Sequence, residues 1–231
     1  MVEVVLFDLG DTLFRLLPMS DVTDEFALCL TAEGVPDAED EAARIINTFR
    51  EALMAGYGRG DLLEPAIADV VHPFIGPDAK SRALAEKLDA LLGQADIDRW
   101  EQADQREFVF DRLQSRGLRV AYVSNTLTAP MLMNSRLADF DLLGHAEVAV
   151  FSVEQGVRKP NPKIYEAALK ALQADPSRTL FVGDRVREDV RGPKSVGMPA
   201  VLTHEFRQED PADSGPLAVL LHLRDVLPLV E

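Results

Sequence analysis

The sequence predicts an α/β fold, a Rossmann-like parallel sheet flanked by helices, with an all-α domain inserted near its start. Short apolar runs rich in β-branched and aromatic residues alternate with segments of helical periodicity along most of the chain. Continuous apolarity is typical of strands buried on both faces, as they are in a parallel sheet. The stretch 16–97 interrupts this alternation with apolar residues at helical spacing. The chain is therefore predicted to form one α/β core with a helical insert.

Six segments are predicted as strands of the sheet. Four are clear apolar runs and the last two are weaker candidates: 2–7, 119–123, 148–151, 179–182, 198–203 and 218–223. Helical segments are predicted between them, at 101–116, 129–138, 163–173 and 190–196. Gly117 and Gly197 follow two of these segments directly, and glycine is the expected residue just past a helix end.

The predicted domain boundaries follow from where the strand pattern stops and resumes. Residues 1–15 and 98–231 form the predicted α/β core, and residues 16–97 form the predicted helical insert. Glycines and prolines divide the insert into helices, which are expected to pack on one another rather than on the sheet. The stretch 208–216, rich in aspartate and proline, is predicted to be an exposed loop.

Composition narrows the function classes. The 231 residues are 47% hydrophobic and carry 24 basic and 39 acidic side chains, a formal net charge of −15. Such an acidic chain is a poor partner for nucleic acid or an anionic membrane, so any anionic ligand needs a local cluster of cations. The single cysteine, Cys29, excludes a disulfide framework and a thiolate zinc site. With no membrane-length apolar run or secretory signal, the protein is expected in the cytoplasm.

Polar residues stand at the ends of three predicted strands. Asp8 ends the first strand, Ser124 and Asn125 end the second, and Asp184 follows the strand at 179–182, with Asp189 five residues later. Ligands bind at the carboxyl ends of strands in an open parallel sheet, so these side chains are expected to converge. Clustered carboxylates repel unless a cation neutralises them, and hard oxygen ligands suit Mg²⁺.

Lys159 is the candidate cation for this edge of the sheet. It precedes Asn161 and Pro162, which are suited to cap and begin the helix predicted at 163–173. That rigid turn is expected to project the Lys159 ammonium towards the strand ends.

Taken in chain order, these segments resemble the motifs of the haloacid dehalogenase-like (HAD) hydrolase superfamily. The matching segments are Phe7-Asp8-Leu9-Gly10-Asp11-Thr12-Leu13, Val123-Ser124-Asn125-Thr126, Lys159-Pro160-Asn161-Pro162 and Val182-Gly183-Asp184 with Asp189. The resemblance covers nearly the whole chain, and the insert is similar in position to the helical cap of the branch whose cap follows the first strand.

The resemblance implies a Mg²⁺-dependent phosphatase that hydrolyses a small phosphorylated metabolite. Asp8 would be the nucleophile, forming an aspartyl-phosphate, and Lys159 would stabilise the developing charge. The implied Mg²⁺ ligands are Asp8, the backbone carbonyl of Gly10, Asp184 and Asp189. The implied phosphate-binding residues are Thr12, Ser124, Asn125 and Lys159. Five residues of the insert and its edge are candidates for facing the substrate: Arg15, Arg44, Arg50, Tyr57 and Arg59.

The sequence departs from the family pattern at two positions. Family phosphatases carry a second aspartate two residues after the nucleophile as general acid and base, and here that position is Gly10. Loss of such a group typically costs a factor of about 10²–10⁴, least for activated leaving groups. The neighbouring Asp11 is expected to stabilise the loop rather than to replace the acid. Arg185 stands where the family often has a small hydroxyl residue, and it could pair with Glu188 or Asp189, or contact a phosphate or carboxylate group of the substrate.

Two alternative functions remain open on the sequence. Gly10 is compatible with a catalytically weak protein that binds a phosphorylated metabolite. It is also compatible with a 2-haloacid dehalogenase, but the Asp184 and Asp189 pair argues against that activity, which needs no metal. The sequence leaves the oligomeric state open between a monomer and a homodimer.

Overall fold

The computed structural model describes residues 1–60, 62–64, 66–76 and 78–231. The strands are β1 (Val4–Phe7), β2 (Phe14–Leu16), β3 (Trp100–Gln102), β4 (Arg119–Ser124), β5 (Val148–Phe151), β6 (Thr179–Gly183), β7 (Ala200–Thr203) and β8 (Val219–Leu220). Six of them form a parallel sheet in the order β5-β4-β1-β6-β7-β8, which confirms the predicted α/β fold. β1 lies at the centre of the sheet, so its carboxyl end has a strand on either side.

Helices connect the strands and make up most of the insert. They are α1 (Thr23–Ala32), α2 (Ala38–Arg59), α3 (Ile67–Ile75), α4 (Ala79–Asp98), α5 (Arg106–Ser115), α6 (Pro130–Asp139), α7 (Ser152–Gln155), α8 (Pro162–Leu172) and α9 (Gly192–Ser195). None of these helices, over their described residues, has the length and apolarity required to cross a membrane.

The sheet is buried on both faces because each strand is apolar on both faces. In β1, Val5 and Phe7 pack into one hydrophobic cluster, which also contains Phe110 of α5. Val4 and Leu6 point the other way, into a second cluster that contains residues of α8. Alternation of side chains along a strand makes this division inevitable. The two layers hold β1 rigidly, so the residue that follows it has a fixed position.

Helix α8 has the predicted cap. The Asn161 side chain accepts a hydrogen bond from the Lys163 backbone N–H (3.1 Å), and Pro162 occupies the first helical position. Ile164, Tyr165 and three further apolar residues at helical spacing are buried against the sheet. The segment that carries Lys159 is therefore anchored by a well-packed helix directly behind it.

The insert has a hydrophobic core of its own. Phe26 and Leu30 of α1, Ile45 of α2 and Leu88 of α4 belong to one cluster of buried residues separate from the two clusters of the sheet. The helices therefore pack on one another, as predicted. α4 also reaches the core domain at Gly93, where an added Cβ would lie 3.1 Å from Leu132 Cδ1 and 3.3 Å from Thr128 Cγ2.

A two-stranded antiparallel ribbon, β2 with β3, connects the insert to the core domain. Phe14 of β2 stacks on Trp100 of β3, with ring centroids 3.8 Å apart, and both rings are buried. The ribbon was not predicted. The sequence predicts residues 14–15 as the end of the first core segment, Leu16 as the start of the insert and residues 101–102 as the start of the helix at 101–116, but that helix begins only at Arg106.

Other predicted boundaries need smaller corrections. Where the sequence predicts a helix at 190–196, the structure has the end of a π-helical turn, Val186–Arg191, followed by the short helix α9. β1 and β7 each begin two residues later than predicted, and β8 contains only two residues. The predicted loop at 208–216 contains a 3₁₀ turn, Ala212–Ser214, in which Ser214 is buried. The domain boundaries at 15/16 and 97/98 stay predictions.

The burial of β1 predicts a large effect of truncating one of its side chains. Leu6 is fully buried, so Leu6→Ala should lower the free energy of unfolding by about 2–5 kcal/mol through lost burial and a residual cavity. Leu221→Ala is the matched control, because Leu221 is 66% exposed and its truncation should change stability by less than about 0.5 kcal/mol. Urea denaturation followed by circular dichroism measures both values, and equal effects would contradict this account of the sheet.

Candidate active site

Three carboxylates converge at the carboxyl ends of β1 and β6. Asp8 follows β1, Asp184 follows β6, and Asp189 lies in the π-helical turn after it. One carboxylate oxygen of each residue lies within 4.8 Å of the others, and all three residues are buried. The convergence predicted from the strand ends is therefore present.

Asp189 fits into this cluster because Gly183 has no side chain. A Cβ on Gly183 would lie 2.3 Å from Asp189 Cγ, a distance that atoms cannot adopt without displacement. The Arg185 backbone N–H donates to Asp189 Oδ2 (3.0 Å), and the Asp189 N–H donates to the Arg185 carbonyl (2.7 Å). These contacts hold the fully buried carboxylate beside the other two.

Lys159 provides the positive charge in the cluster. Its Nζ donates to Asp8 Oδ1 at 2.6 Å and to Asp189 Oδ1 at 2.7 Å, and the residue is 2% exposed. Burial disfavours the charged amine, but the negative charges of Asp189 and Asp8 outweigh burial and raise the Lys159 pKa. The lysine therefore stays protonated and holds Asp8 from one side.

The position of Lys159 depends on Asn125. The Asn125 side-chain oxygen accepts a hydrogen bond from the Lys159 backbone N–H (2.7 Å), and its amide nitrogen donates to the Lys159 carbonyl (3.1 Å). Asn125 was predicted to bind phosphate. Its side-chain oxygen and one amide N–H are engaged with the lysine backbone, so the phosphate contact, which stays a prediction, would use the second amide N–H or the backbone N–H.

The charge balance of the cluster favours a divalent cation. Burial, reinforced by the charges of Asp8 and Asp189, raises the pKa of Asp184, and burial also raises the pKa of Asp189 against the opposing effect of Lys159. Asp184 Oδ2 is buried and has no hydrogen-bond partner. Three carboxylates facing the Lys159 ammonium and the Arg207 guanidinium, whose Nε lies 2.7 Å from Asp184 Oδ2, still leave excess negative charge, and oxygen ligands of this kind suit Mg²⁺. The residues present therefore fit the metal site that the sequence predicted.

The remaining predicted site residues lie around this cluster in different ways. The Thr12 hydroxyl donates to Asp8 Oδ2 (3.3 Å) and Asp184 Oδ1 (3.4 Å), so it faces the carboxylates. Gly10 and Ser124 line the cavity in front of Asp8. The predicted phosphate contacts of Thr12 and Ser124, and the metal contact of the Gly10 carbonyl, stay predictions.

Asp11 is engaged in its own loop. Its Oδ1 accepts a hydrogen bond from the Leu16 N–H (3.0 Å), and its Oδ2 accepts one from Arg207 Nη2 (3.1 Å). Asp11 has a left-handed backbone conformation (φ 56°). The carboxylate therefore closes the turn between β1 and β2, which agrees with a loop-stabilising role.

Two arginines that sequence reasoning missed contact this region. Arg207 Nε lies 2.7 Å from Asp184 Oδ2, a charge contact without hydrogen-bond geometry. The buried Arg106 donates to the carbonyls of Leu13 (2.7 Å) and Thr12 (3.2 Å), in the loop that follows Asp8. No motif marks either residue, because Arg106 reaches Thr12 across 94 residues of sequence and Arg207 also reaches Asp11 across 196.

Three of the five residues predicted to face the substrate are described, and none of the three lines the cavity in front of Asp8. Arg15 pairs with Glu101 at 3.6 Å, Arg44 pairs with Glu41, and Arg50 bonds to Asn47, all at exposed positions. The side chains of Tyr57 and Arg59 lie outside the described residues.

A cavity of about 210 Å³ opens in front of Asp8. Lys159 and Ser124 line its base, and the stacked rings of Phe14 and Trp100 contribute to its apolar part. Arg185 also lines it; its backbone N–H bonds Asp189, and no carboxylate lies within ion-pair distance of its guanidinium in the described part of the chain. The cavity suits a small ligand with an anionic group near Lys159.

Comparison with known proteins agrees with this fold and this cluster. The haloacid dehalogenase-like hydrolase family matches residues 2–197. The chain is therefore a hydrolase of the haloacid dehalogenase-like family, as the motifs predicted. It is 31% identical to human haloacid dehalogenase-like hydrolase domain-containing protein 3, over 100% of this chain and 95% of the relative. It is 28% identical to the phosphoserine phosphatase of Thermus thermophilus, over 94% of this chain and 95% of the relative.

A solved structure shares the fold at lower identity. The 2-haloacid dehalogenase of Pseudomonas syringae superposes with a TM-score of 0.73 at 18% identity, covering 100% of this chain and 98% of the other. At this identity the likeness establishes the shared fold alone.

The raised carboxyl pKa values predict how stability depends on pH and metal. Because Asp184 and Asp189 bind protons more tightly in the folded protein, their contribution to metal-free stability falls as pH rises through the raised pKa values. A divalent cation must displace these protons, so its stabilising effect should grow with pH. We expect Mg²⁺ to raise the melting temperature more at about pH 8 than at about pH 6.

Differential scanning fluorimetry with and without Mg²⁺ measures this difference. Asp184→Asn should reduce both the Mg²⁺ effect and its pH dependence, whereas Asp111→Asn, at an exposed position on α5, should change neither. A wild-type Mg²⁺ effect that is the same at both pH values would contradict the prediction.

Proposed function

We propose that this protein is a Mg²⁺-dependent phosphatase that hydrolyses a small phosphorylated metabolite through an aspartyl-phosphate on Asp8. The observation that carries the proposal is the convergence of three buried carboxylates with one buried lysine amine. The curated relatives support it, because the Thermus thermophilus relative is a phosphoserine phosphatase and a Methanothermobacter thermautotrophicus relative, 25% identical, is a glyceraldehyde 3-phosphate phosphatase.

Asp8 is the proposed nucleophile because it alone of the three carboxylates lines the cavity. Asp8, Asp184 and Asp189 are the proposed side-chain ligands of Mg²⁺, with the Gly10 carbonyl as a backbone ligand. When bound, Mg²⁺ would offset the carboxylate charge and polarise the phosphoryl oxygens. An Asp8 oxygen forms a bond to phosphorus as the bond to the leaving alcohol oxygen breaks, and water then attacks the same phosphorus to release phosphate and regenerate Asp8.

Lys159 and the residues at the carboxyl end of β4 are proposed to hold the phosphoryl group. The Lys159 ammonium orients Asp8 through its hydrogen bond to Oδ1 and stabilises charge that develops on the phosphoryl oxygens. Ser124 and Asn125 line the cavity and are proposed to donate to these oxygens, Asn125 through its backbone N–H, while the Thr12 hydroxyl orders the carboxylates.

Both alternative functions can be weighed against the same site. A protein that only binds a phosphorylated metabolite would need the same phosphate contacts, and the absence of an acid at Gly10 is the feature that favours it. A 2-haloacid dehalogenase would have no use for a buried Asp184 and Asp189 pair, and the similarity to solved dehalogenases carries the fold alone. Phosphatase activity therefore has the stronger support.

Phosphate release tests the proposal directly. Purified protein with Mg²⁺ should release phosphate from p-nitrophenyl phosphate, and EDTA should abolish the reaction. Asp8→Asn should lower kcat by more than about a thousandfold, because the amide is a poor nucleophile. Asp111→Asn serves as the control and should retain wild-type activity. Tight phosphate binding without turnover would favour the binding protein, and EDTA-insensitive chloride release from 2-chloropropionate would favour the dehalogenase.

Restoring the missing acid should raise the rate, provided that Leu16 is trimmed. A Cβ at residue 10 would lie 2.7 Å from Leu16 Cδ1, so Gly10→Asp alone forces that side chain to move. The double variant Gly10→Asp/Leu16→Ala should raise kcat for an alkyl phosphate by about tenfold or more, since general acid catalysis contributes about 10²–10⁴. For p-nitrophenyl phosphate the gain should be smaller, because its leaving group needs less protonation.

Leu16→Ala is the matched control for this experiment and should show no gain. If the double variant folds, as judged by its melting temperature, and hydrolyses the alkyl phosphate no faster than Leu16→Ala, then the missing acid does not limit the reaction.

A further inference from the structure

A second cavity, of about 240 Å³, adjoins the one in front of Asp8. Five residues contribute to the lining of both cavities: Asp96, Arg99, Asn125, Thr126 and Arg158. The second cavity extends away from Asp8 towards the helical insert and has an apolar part that includes Phe49 and Leu92. A substrate with its phosphate at Lys159 can therefore extend its leaving group into this second cavity.

Glu64 presents an unpartnered oxygen in the second cavity. The residue is 5% exposed and lines the cavity, and its Oε1 is buried without a hydrogen-bond partner. Its other oxygen, Oε2, accepts a hydrogen bond from the Ser152 hydroxyl (2.8 Å) and lies 3.7 Å from Arg158 Nε. Leaving a buried carboxylate oxygen unpaired costs free energy, which a suitable donor would recover.

The position of Glu64 is determined by backbone pairing between the insert and the core domain. The Glu64 N–H donates to the Gly156 carbonyl (3.1 Å), and the Arg158 N–H donates to the Leu62 carbonyl (2.9 Å). Burial raises the Glu64 pKa, and Arg158 and Ser152 oppose that rise. The backbone pairing fixes the position of the residue, and Ser152 and Arg158 hold Oε2, so Oε1 remains for a ligand.

Asp96 and Arg99, which line both cavities, form an ion pair with each other. Arg99 Nε donates to Asp96 Oδ1 (2.9 Å), and the Thr128 hydroxyl donates to Asp96 Oδ2 (2.9 Å). Among the described residues that line either cavity, Glu64 is thus the one whose carboxylate has a buried oxygen without a hydrogen-bond partner.

We propose that the second cavity is the subsite for the distal end of the substrate, and that Glu64 Oε1 accepts a hydrogen bond from an ammonium or hydroxyl group there. This inference rests on the proposed phosphatase function and adds the substrate class, a phosphate monoester of a small amino alcohol or polyol. A distal carboxylate is disfavoured, because it would face the Glu64 oxygen.

Matched substrates test the subsite. Propyl phosphate has no distal donor, whereas 3-aminopropyl phosphate and glycerol 3-phosphate present an ammonium and hydroxyl groups on similar chains. We expect wild-type kcat/KM to be higher for at least one donor-bearing ester than for propyl phosphate. Glu64→Gln should lower that preference by about tenfold, because its side-chain amide cannot reproduce a charge-assisted hydrogen bond to the ligand.

Two further variants keep the test interpretable. Glu64→Asp retains the charge but withdraws the oxygen by one methylene, and should lower the preference in the same direction. Glu51→Gln, at an exposed position of α2, should leave the preference unchanged. Melting temperatures establish that each variant is folded.

Failure of this inference is distinguishable from failure of the proposed function. If the wild type hydrolyses p-nitrophenyl phosphate but shows no preference for a donor, or if folded Glu64 variants retain the wild-type preference within twofold, the subsite assignment is wrong. If the wild type with Mg²⁺ hydrolyses none of these esters, the phosphatase proposal itself is wrong. A preference for 3-aminopropyl phosphate over glycerol 3-phosphate would identify the donor as an ammonium, and the reverse order would identify a hydroxyl.

Discussion

The ammonium of Lys159 is the interaction on which the rest of this site depends. Three carboxylates buried within a few ångströms of one another would repel strongly in the low dielectric of the interior, and burying unpaired charge is costly. Lys159 offsets part of that repulsion by donating to Asp8 and Asp189 at once. The negative charge that remains beside Lys159 and Arg207 favours a divalent cation there, and under the proposed function that cation would help to hold a dianionic phosphate.

Much of the surrounding structure serves to keep that ammonium and its partners in place. Asn125 bonds to the lysine backbone on both sides, and α8 anchors the segment from behind. Gly183 gives Asp189 the room it needs. These contacts come from the carboxyl ends of β4 and β6 and from α8, so the cluster exists only when the sheet is assembled. An acidic chain with a net charge of −15 can in this way hold an anionic ligand, because the cation it needs is buried locally.

The sequence predicted the parts of the molecule that depend on local pattern. Apolar runs located every strand of the parallel sheet, and the polar residues that follow them located Asp8, Asp184 and Asp189. The Asn161 cap was likewise readable from its neighbours. What could not be predicted depends on contacts between distant segments. The ribbon in which Trp100 of β3 stacks on Phe14 of β2 has no periodic signal, because each strand contains only three residues.

The same reason explains the functional residues that the sequence did not reveal. Glu64 and Arg207 have no motif around them, and each acquires its contact only through the tertiary fold. For Asn125 the sequence predicts the position of the residue but not the contacts of its side chain. Its position at the strand end was predicted, but the direction of its side chain depends on the lysine segment that folds beside it.

The backbone pairing between residues 62–64 of the insert and residues 156–158 of the core domain couples substrate specificity to catalysis, two properties that are often separable in enzymes. Arg158, which borders the second cavity, is the immediate chain neighbour of Lys159, which holds the nucleophile. A substitution that reshapes the insert to accept another substrate transmits its backbone shift to the lysine within one peptide unit. Redesign of substrate specificity should therefore leave that short junction undisturbed and begin on the apolar residues of the second cavity, Phe49 and Leu92.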